Sequence, residues 1–407
     1  MDQERIAALA TLYRDTLLLD VIPWWQSRFL DREYGGYLVY RAADGALLST
    51  DKPVWVQARG SWIWSRLYNT VEKRPDWLEV ARHGMDFVLK HCFDSDGRMY
   101  FSVTRDGRPL RKRRYLFSET FAVIGMAELA RATGSEEMLQ RARELYRLTL
   151  MYYRTPGLLP PKVIAGTRAL KGHAMPMVLL ATSQIMREID GGQPLYEDTI
   201  NRSIAELFRD FVRPEKRCLL ETVLADGSLL DTPEGRTVNP GHAIETSWFL
   251  MTEGQGRADT ELIARACEIL RWSLALGWDR EYGGILYFVD CDGKPAEPYE
   301  HELKLWWPHC EALYACLLAH YLTGDAEWCD WYERIHEWVF AHFPDREHGE
   351  WFGYLRRDGT VSSPVKGNMW KGPFHLSRML LYGWQLLERW KQRDDRQVAD
   401  NRETQLD

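Results

Sequence analysis

Apolar residues recur at helical spacing in blocks along the chain, most clearly over 115–133 (YLFSETFAVIGMAELARAT), 258–276, 309–322 and 326–343. That spacing predicts amphipathic helices with one face on a core. Between the blocks the pattern breaks into short alternating runs bounded by glycine. Asp31-Arg-Glu-Tyr-Gly-Gly36, Asp279-Arg-Glu-Tyr-Gly-Gly284 and Asp345-Arg-Glu-His-Gly-Glu350 are near copies. Each is followed by an alternating run and then Asp-Gly, at 44–45, 292–293 and 358–359. Looser copies run from Phe93 to Gly107 and from Arg213 to Gly227, and a Pro/Gly-rich break fills 155–166.

Repeat starts at 31, 94, 155, 214, 279 and 345 are steps of roughly sixty residues, the signature of one supersecondary unit used again and again. Each interval has room for two helices and a short hairpin. Six such units close most simply into an all-α (α/α)6 toroid of about twelve helices with β-hairpins at one mouth. An open solenoid is the alternative, but solenoid repeats are usually shorter and lack hairpins. Length alone, at about 150 residues per domain, would suggest two or three domains; the repeat argues for one, over 1–392. The segment 393–407 (RDDRQVADNRETQLD) has hardly any apolar residue and is expected to be a frayed tail.

Composition excludes several classes. Hydrophobic residues at 45% and charged residues at 27% are ordinary for a soluble globular chain. Lys+Arg 52 against Asp+Glu 59, a net charge of −7, supplies no field for nucleic acid. No uncharged apolar run is long enough to span a membrane, and the charged start reads as an amphipathic helix rather than a signal peptide. Seven cysteines without a C-x-x-C pair point to reduced thiols in the cytoplasm. The 18 tryptophans call for a large core or a stacking surface. Those around Trp328, Trp331 and Trp338 fit core packing or a homodimer face equally.

Candidate chemistry gathers where the inner helices should begin: WVQARGSWIW (55–64), FSETF (117–121), GHAMPM (172–177), NPGHAIETSW (239–248), KLWWPHCEAL (304–313) and KGPFHLSR (371–378). His242, His309 and His375 each lie in a first turn near a proline, whose missing N–H costs nothing there. The positive end of the helix dipole disfavours imidazolium, so such histidines are expected to stay neutral and able to take a proton. Glu245 and Arg378 lie three residues after His242 and His375, on the same helix faces. A single histidine at a helix start is more often a cap, but three at one mouth favour function. For Arg59, beside Trp62 and Trp64, a core guanidinium stacked on indole is an equal alternative. No H-E-x-x-H, no Cys/His ligand cluster, no P-loop and no G-x-S-x-G elbow occurs, so no metal site is expected. Two histidine bases without a metal or redox cofactor suit proton abstraction beside a carbonyl, that is, isomerisation or epimerisation of a sugar. Glu119, Glu245 and Glu311 keep a glycoside hydrolase open, and a sugar- or protein-binding toroid without activity is a further alternative.

The motifs KPVWVQAR (52–59), TRDGRPL (104–110), NPGHAIETSWFL (239–250), KLWWPHCEAL (304–313), EWFGYLRRDG (350–359) and KGPFHLSR (371–378) resemble those of the N-acylglucosamine 2-epimerase family. The likeness runs from roughly residue 5 to residue 390. It implies an (α/α)6 barrel that interconverts N-acetyl-D-glucosamine and N-acetyl-D-mannosamine at C2. It further implies His242 and His375 as the acid/base pair and Arg59 as the holder of the oxyanion. Glu245 and Glu311 would orient hydroxyls or a catalytic histidine. His309 and Trp306 would line the sugar pocket, with Arg236 and Lys366 as further lining residues. The resemblance brings no required cofactor, and ATP enters as an effector that is not consumed. Related members are mannose (aldose–ketose) isomerases and cellobiose 2-epimerases, which carry a further histidine in the third inner-helix motif. Here that place holds Met175, Pro176 and Met177, with His173 out of register. Asn368, Met369 and Trp370 stand where a glycine-rich stretch is expected.

Overall fold

The computed structural model describes residues 1–403 apart from 114, 162 and 165, with side chains described as far as residue 393. In chain order its helices are α1 (Gln3–Asp15), α2 (Ile22–Phe29), α3 (Val54–Thr70), α4 (Pro75–His91), α5 (Phe117–Thr133), α6 (Glu136–Arg154) and α7 (Ala174–Asp190). Then come α8 (Pro194–Glu206), the short α9 (Pro233–Arg236), α10 (Pro240–Arg257), α11 (Thr260–Gly277), α12 (Trp306–Thr323), α13 (Ala326–His342) and α14 (His375–Glu403). The side chains of the expected tail lie outside the described residues after Arg393.

Sequence decides which helices go inside. Along α12, every residue from Trp306 to His320 is buried, so the helix is covered on all sides. Along α6, only Ala142, Leu145, Tyr146, Thr149 and Leu150 are buried, a single stripe at helical spacing. The same contrast sorts α3, α5, α7, α10, α12 and α14 into an inner ring, and α1, α4, α6, α8, α11 and α13 into an outer one. Each inner helix packs on the outer helix that follows it, and α14 packs on α1, which closes the ring. At the seam, Trp62 of α3 meets Tyr382 of α14 with ring centres 6.3 Å apart. The (α/α)6 toroid read from the repeats is the fold.

Short antiparallel pairs stitch neighbouring units at one mouth. The strand entering an inner helix pairs with the hairpin of the next unit: Lys52–Pro53 with Ser102–Val103, and Thr237–Val238 with Val289–Asp290. Leu170–Gly172 pairs likewise with Thr222–Leu224, and Lys304–Leu305 with Tyr354–Leu355. A bridge from Arg41 to Gly367 completes the circle.

The first aspartate of each strong repeat anchors this stitching. Asp31 holds Lys52 at 2.9 Å, Asp279 holds Lys304 at 3.1 Å, and Asp345 holds Lys366 at 2.8 Å, with all three lysines fully buried. Lys171, on the strand entering α7, pairs with the buried Asp210 just before the loose copy at 213–227. The repeat's second glycine adopts a left-handed backbone at Gly36 (φ +69°) and Gly284 (φ +75°), where a side chain would be strained. The third copy accepts that strain with Glu350 (φ +58°), whose buried carboxylate takes Lys371 at 2.5 Å and so fixes the segment leading into α14.

Trp328 and Trp338 are buried within the chain, and Trp331 packs edge-on against Trp278. These indoles serve the packing of helix on helix.

Candidate active site

A cavity of about 1040 Å³ runs along the axis of the toroid, from Glu300 and Trp370 at the hairpin mouth to Arg187 and Arg389 at the other end. Its wall near the mouth is aromatic. Trp55, Trp62, Trp248, Trp306, Trp307 and Trp370, all from the segments that open inner helices, line it. Trp370 is 48% exposed and meets Trp55 edge-on at 5.3 Å, while Trp55 donates its indole N–H to the carbonyl of Met369.

Two histidines enter this cavity from the first turns of α10 and α14. Asn239 caps α10 by accepting from the backbone N–H of His242 at 3.1 Å, which fixes the turn that carries the imidazole. His242 Nδ1 donates to Glu221 Oε1 at 3.0 Å, and His375 Nδ1 donates to Glu311 Oε1 at 2.7 Å. In both rings Nε2 is left for the cavity. The indole of Trp307 lies between them, with ring centres 4.9 Å from His242 and 5.6 Å from His375.

The surroundings push the two imidazoles apart in proton affinity. His375 is held well below its ordinary value by burial, with the Arg59 and Arg378 guanidiniums adding to the effect. Burial also opposes a charge on His242, but the Glu221 carboxylate outweighs it, through both charge and hydrogen bond, and the net shift is upward. Glu221 in turn stays well below the carboxylate range despite burial, because His242 and His173 face it. The downward direction at His375 runs with the expectation of a neutral imidazole, and the upward direction at His242, set by Glu221, runs against it.

Glu311 is a hub behind the wall. It accepts from His375, from Arg378 at 2.7 Å and from the indole N–H of Trp248 at 2.8 Å. Glu245 lines the cavity and takes Arg378 at 2.5 Å, so it does not orient His242. Arg59 is sandwiched by aromatic faces, 3.8 Å from the ring centre of Phe121, 4.5 Å from Trp55 and 4.7 Å from Phe374. Burial pushes it down to about 9, and its Nε has no hydrogen-bond partner among the described residues. A cation held by π-faces alone keeps its donors free for an anion.

Of the residues singled out from sequence, His242, His375, Arg59, Glu245 and Trp306 line the cavity, and Glu311 stands one layer behind. Four others are placed elsewhere. His309 is fully buried against Trp338 (5.0 Å), accepts from the N–H of Ile285 and donates to the carbonyl of Leu305. Burial drives it down to about 3, so it is a packing residue of α12 against α13. Arg236 ties α9 to the next hairpin through Asp231 (2.6 Å) and Asp290 (2.9 Å). Lys366 is the repeat lysine of Asp345. Glu119 points away from the axis to Arg98 and the N–H of Met99, because Phe117 and Phe121, one turn apart, take the cavity face of α5.

Sequence reasoning missed Glu221. It sits on the turn between Cys218–Leu219 and Thr222–Leu224, inside a loose repeat copy with no motif around it. It also passed over His173, which is fully buried beside Glu221 and has its ring centre 6.3 Å from that of His242.

Comparison with known proteins bears on the family and the fold. The sequence model of the family described as N-acylglucosamine 2-epimerase (GlcNAc 2-epimerase) matches residues 35–376. The N-acylglucosamine 2-epimerase of Bos taurus is 36% identical over 366 residues, 88% of this chain and 87% of the bovine one. That of Homo sapiens is 34% identical over 388 residues, 93% of this chain and 91% of the human one. Among solved structures, a cellobiose 2-epimerase from Bacillus thermoamylovorans superposes with a TM-score of 0.81 at 21% identity, covering 94% of this chain and all of that one (100%). Among the described residues, no helix is long and apolar enough to cross a membrane.

Proposed function

We propose that this chain, which belongs to the N-acylglucosamine 2-epimerase family, interconverts N-acetyl-D-glucosamine and N-acetyl-D-mannosamine by proton transfer at C2. The observation that carries the mechanism is the pair of imidazoles in one cavity, each with Nδ1 tied to a carboxylate, separated by the indole of Trp307.

In one direction His375, neutral and with Nε2 bare, takes the C2 proton of the opened sugar. The electron pair moves onto the carbonyl oxygen, and Arg59, whose charge is desolvated by its aromatic sandwich, holds the resulting oxyanion. His242, whose proton affinity Glu221 raises, delivers a proton to the opposite face of the enolate and inverts C2. The reverse direction exchanges the two roles. The indoles give the sugar's C–H face a surface to stack on and keep water from the enolate. No step consumes a cofactor, and ATP stays outside the scheme as an effector that is not consumed.

The same reading places the enzyme in the cytoplasm, supported by the odd count of seven cysteines, and leaves a homodimer to be tested by light scattering. The test of function is to incubate the protein with each N-acetylhexosamine and with plain hexoses in D2O. Deuterium at C2 of the two N-acetylhexosamines, together with their interconversion, is expected. A ketose product would identify an aldose–ketose isomerase instead, and absence of exchange in every N-acylhexosamine would overturn the reading.

A further inference from the structure

Behind α10 three side chains from separate segments converge. His173 stands at the start of α7, Glu221 on the turn before Thr222–Leu224, and His242 in the first turn of α10. One ligand atom from each lies within 4.8 Å of the others.

Hydrogen-bond direction identifies the free atom of His173. Thr246 Oγ1 lies 2.9 Å from the carbonyl oxygen of His242, where only its hydroxyl hydrogen can be donated. The same oxygen lies 2.8 Å from His173 Nε2, so there it accepts, and Nε2 carries the proton. With Nε2 engaged by Thr246, Nδ1 is the ring's remaining ligand atom. It points toward Glu221, 3.7 Å from Oε1, in a residue that is fully buried, and it has no hydrogen-bond partner among the described residues. A buried ring nitrogen without a hydrogen-bond partner, set beside a carboxylate oxygen, leaves room for one cation that both atoms can bind.

We propose that His173, Glu221 and His242 form a binding site for a divalent transition-metal ion of the zinc class. Two imidazoles and one carboxylate are a donor set that such ions favour, with solvent filling the remaining position. Thr246 does for His173 what an outer partner does in metal sites: it holds the second ring nitrogen protonated and fixes the plane of the ring. The ion reaches the site from the axial cavity, which His242 lines. Binding at His242 Nδ1 moves that atom's proton to Nε2 or to solvent, and the ring can no longer cycle between acid and base. Metal then inhibits epimerisation, a consequence that rests on the function proposed above, whereas the binding itself does not.

Among the described residues, the other two clusters with such donors fit an ion poorly. In Glu245–Glu311–His375 the Arg378 guanidinium already bonds both carboxylates. In Asp290–Cys291–Asp292, Arg236 and Lys216 hold the two aspartates.

The test uses full-length protein stripped with EDTA and titrated with Zn²⁺ alone by calorimetry. One ion per chain is expected, and His173→Gln should bind about a hundredfold more weakly while keeping the far-UV circular dichroism of the parent. Zinc-edge X-ray absorption of the loaded parent needs no variant and should show two imidazoles and no sulfur. Sulfur ligation, equal affinity in His173→Gln, or no stoichiometric binding would overturn the site. Zinc binding without turnover of any sugar would keep the site and remove only the function.

Discussion

Glu311 accepts the Nδ1 proton of His375 at 2.7 Å, and the same oxygen takes Arg378 at 2.7 Å. One buried carboxylate thus sets which nitrogen of the imidazole faces the cavity. Replacing it with the isosteric amide in Glu311→Gln removes that preference and leaves Arg378 with Glu245 alone. Turnover should fall by about 10²–10⁴-fold, as for an acid/base group in the wrong tautomer. Steady-state kinetics should place the loss in kcat, with KM changed far less.

His242→Asn and His375→Asn should each abolish inversion yet leave exchange on one side. With one imidazole remaining, the epimer whose C2 proton faces it can lose that proton and regain a deuteron on the same face. NMR in D2O should therefore show deuterium entering one epimer with His242→Asn and the other with His375→Asn. Exchange in both epimers with either variant would contradict the two-histidine scheme.

The opposed shifts of the two histidines predict a broad pH plateau. Activity should fall at high pH as His242, raised by Glu221, loses the proton it must deliver. It should fall at low pH only when His375, lowered by burial and by Arg59 and Arg378, becomes protonated. Glu221→Gln removes the carboxylate that raises His242, so the upper limb should move to lower pH while the lower limb stays. The kcat profile of the two proteins over the same buffers checks this.

Arg59→Lys keeps a positive charge but not a planar cation that fits between Trp55, Phe121 and Phe374. Loss of a group aimed at the developing oxyanion costs about 10²–10³-fold in kcat. That loss should appear with little change in the thermal midpoint.

Lys366→Met should do the reverse. Leaving Asp345 buried without its partner costs about 3–5 kcal/mol, read as a lower midpoint in urea or heat. The kcat of the folded fraction at low temperature should stay near that of the parent, since Lys366 lies outside the cavity.

The ring was legible in the sequence because the three strong units write the same local chemistry: an aspartate, a turn with glycine, an Asp-Gly hairpin and a helix with a buried face. His242, His375 and Arg59 were legible for a related reason, since each belongs to a segment that opens an inner helix, and those segments must meet at one mouth. Local pattern could not say which way a side chain on such a helix turns. His309 shares the proline and first turn of the other two, yet faces Trp338 of α13. Glu119 lies between two phenylalanines that take the cavity side. Lys366 holds Asp345 as Lys52 holds Asp31 and Lys304 holds Asp279, a pairing that the spacing of the motifs does not reveal. Glu221 and His173 are 21 and 69 residues from His242 in sequence, and no spacing rule links them. Their meeting depends on how the hairpin before α9 folds back against α7 and α10. Only that closure gives His242 its carboxylate, and with it the proton affinity that separates it from His375.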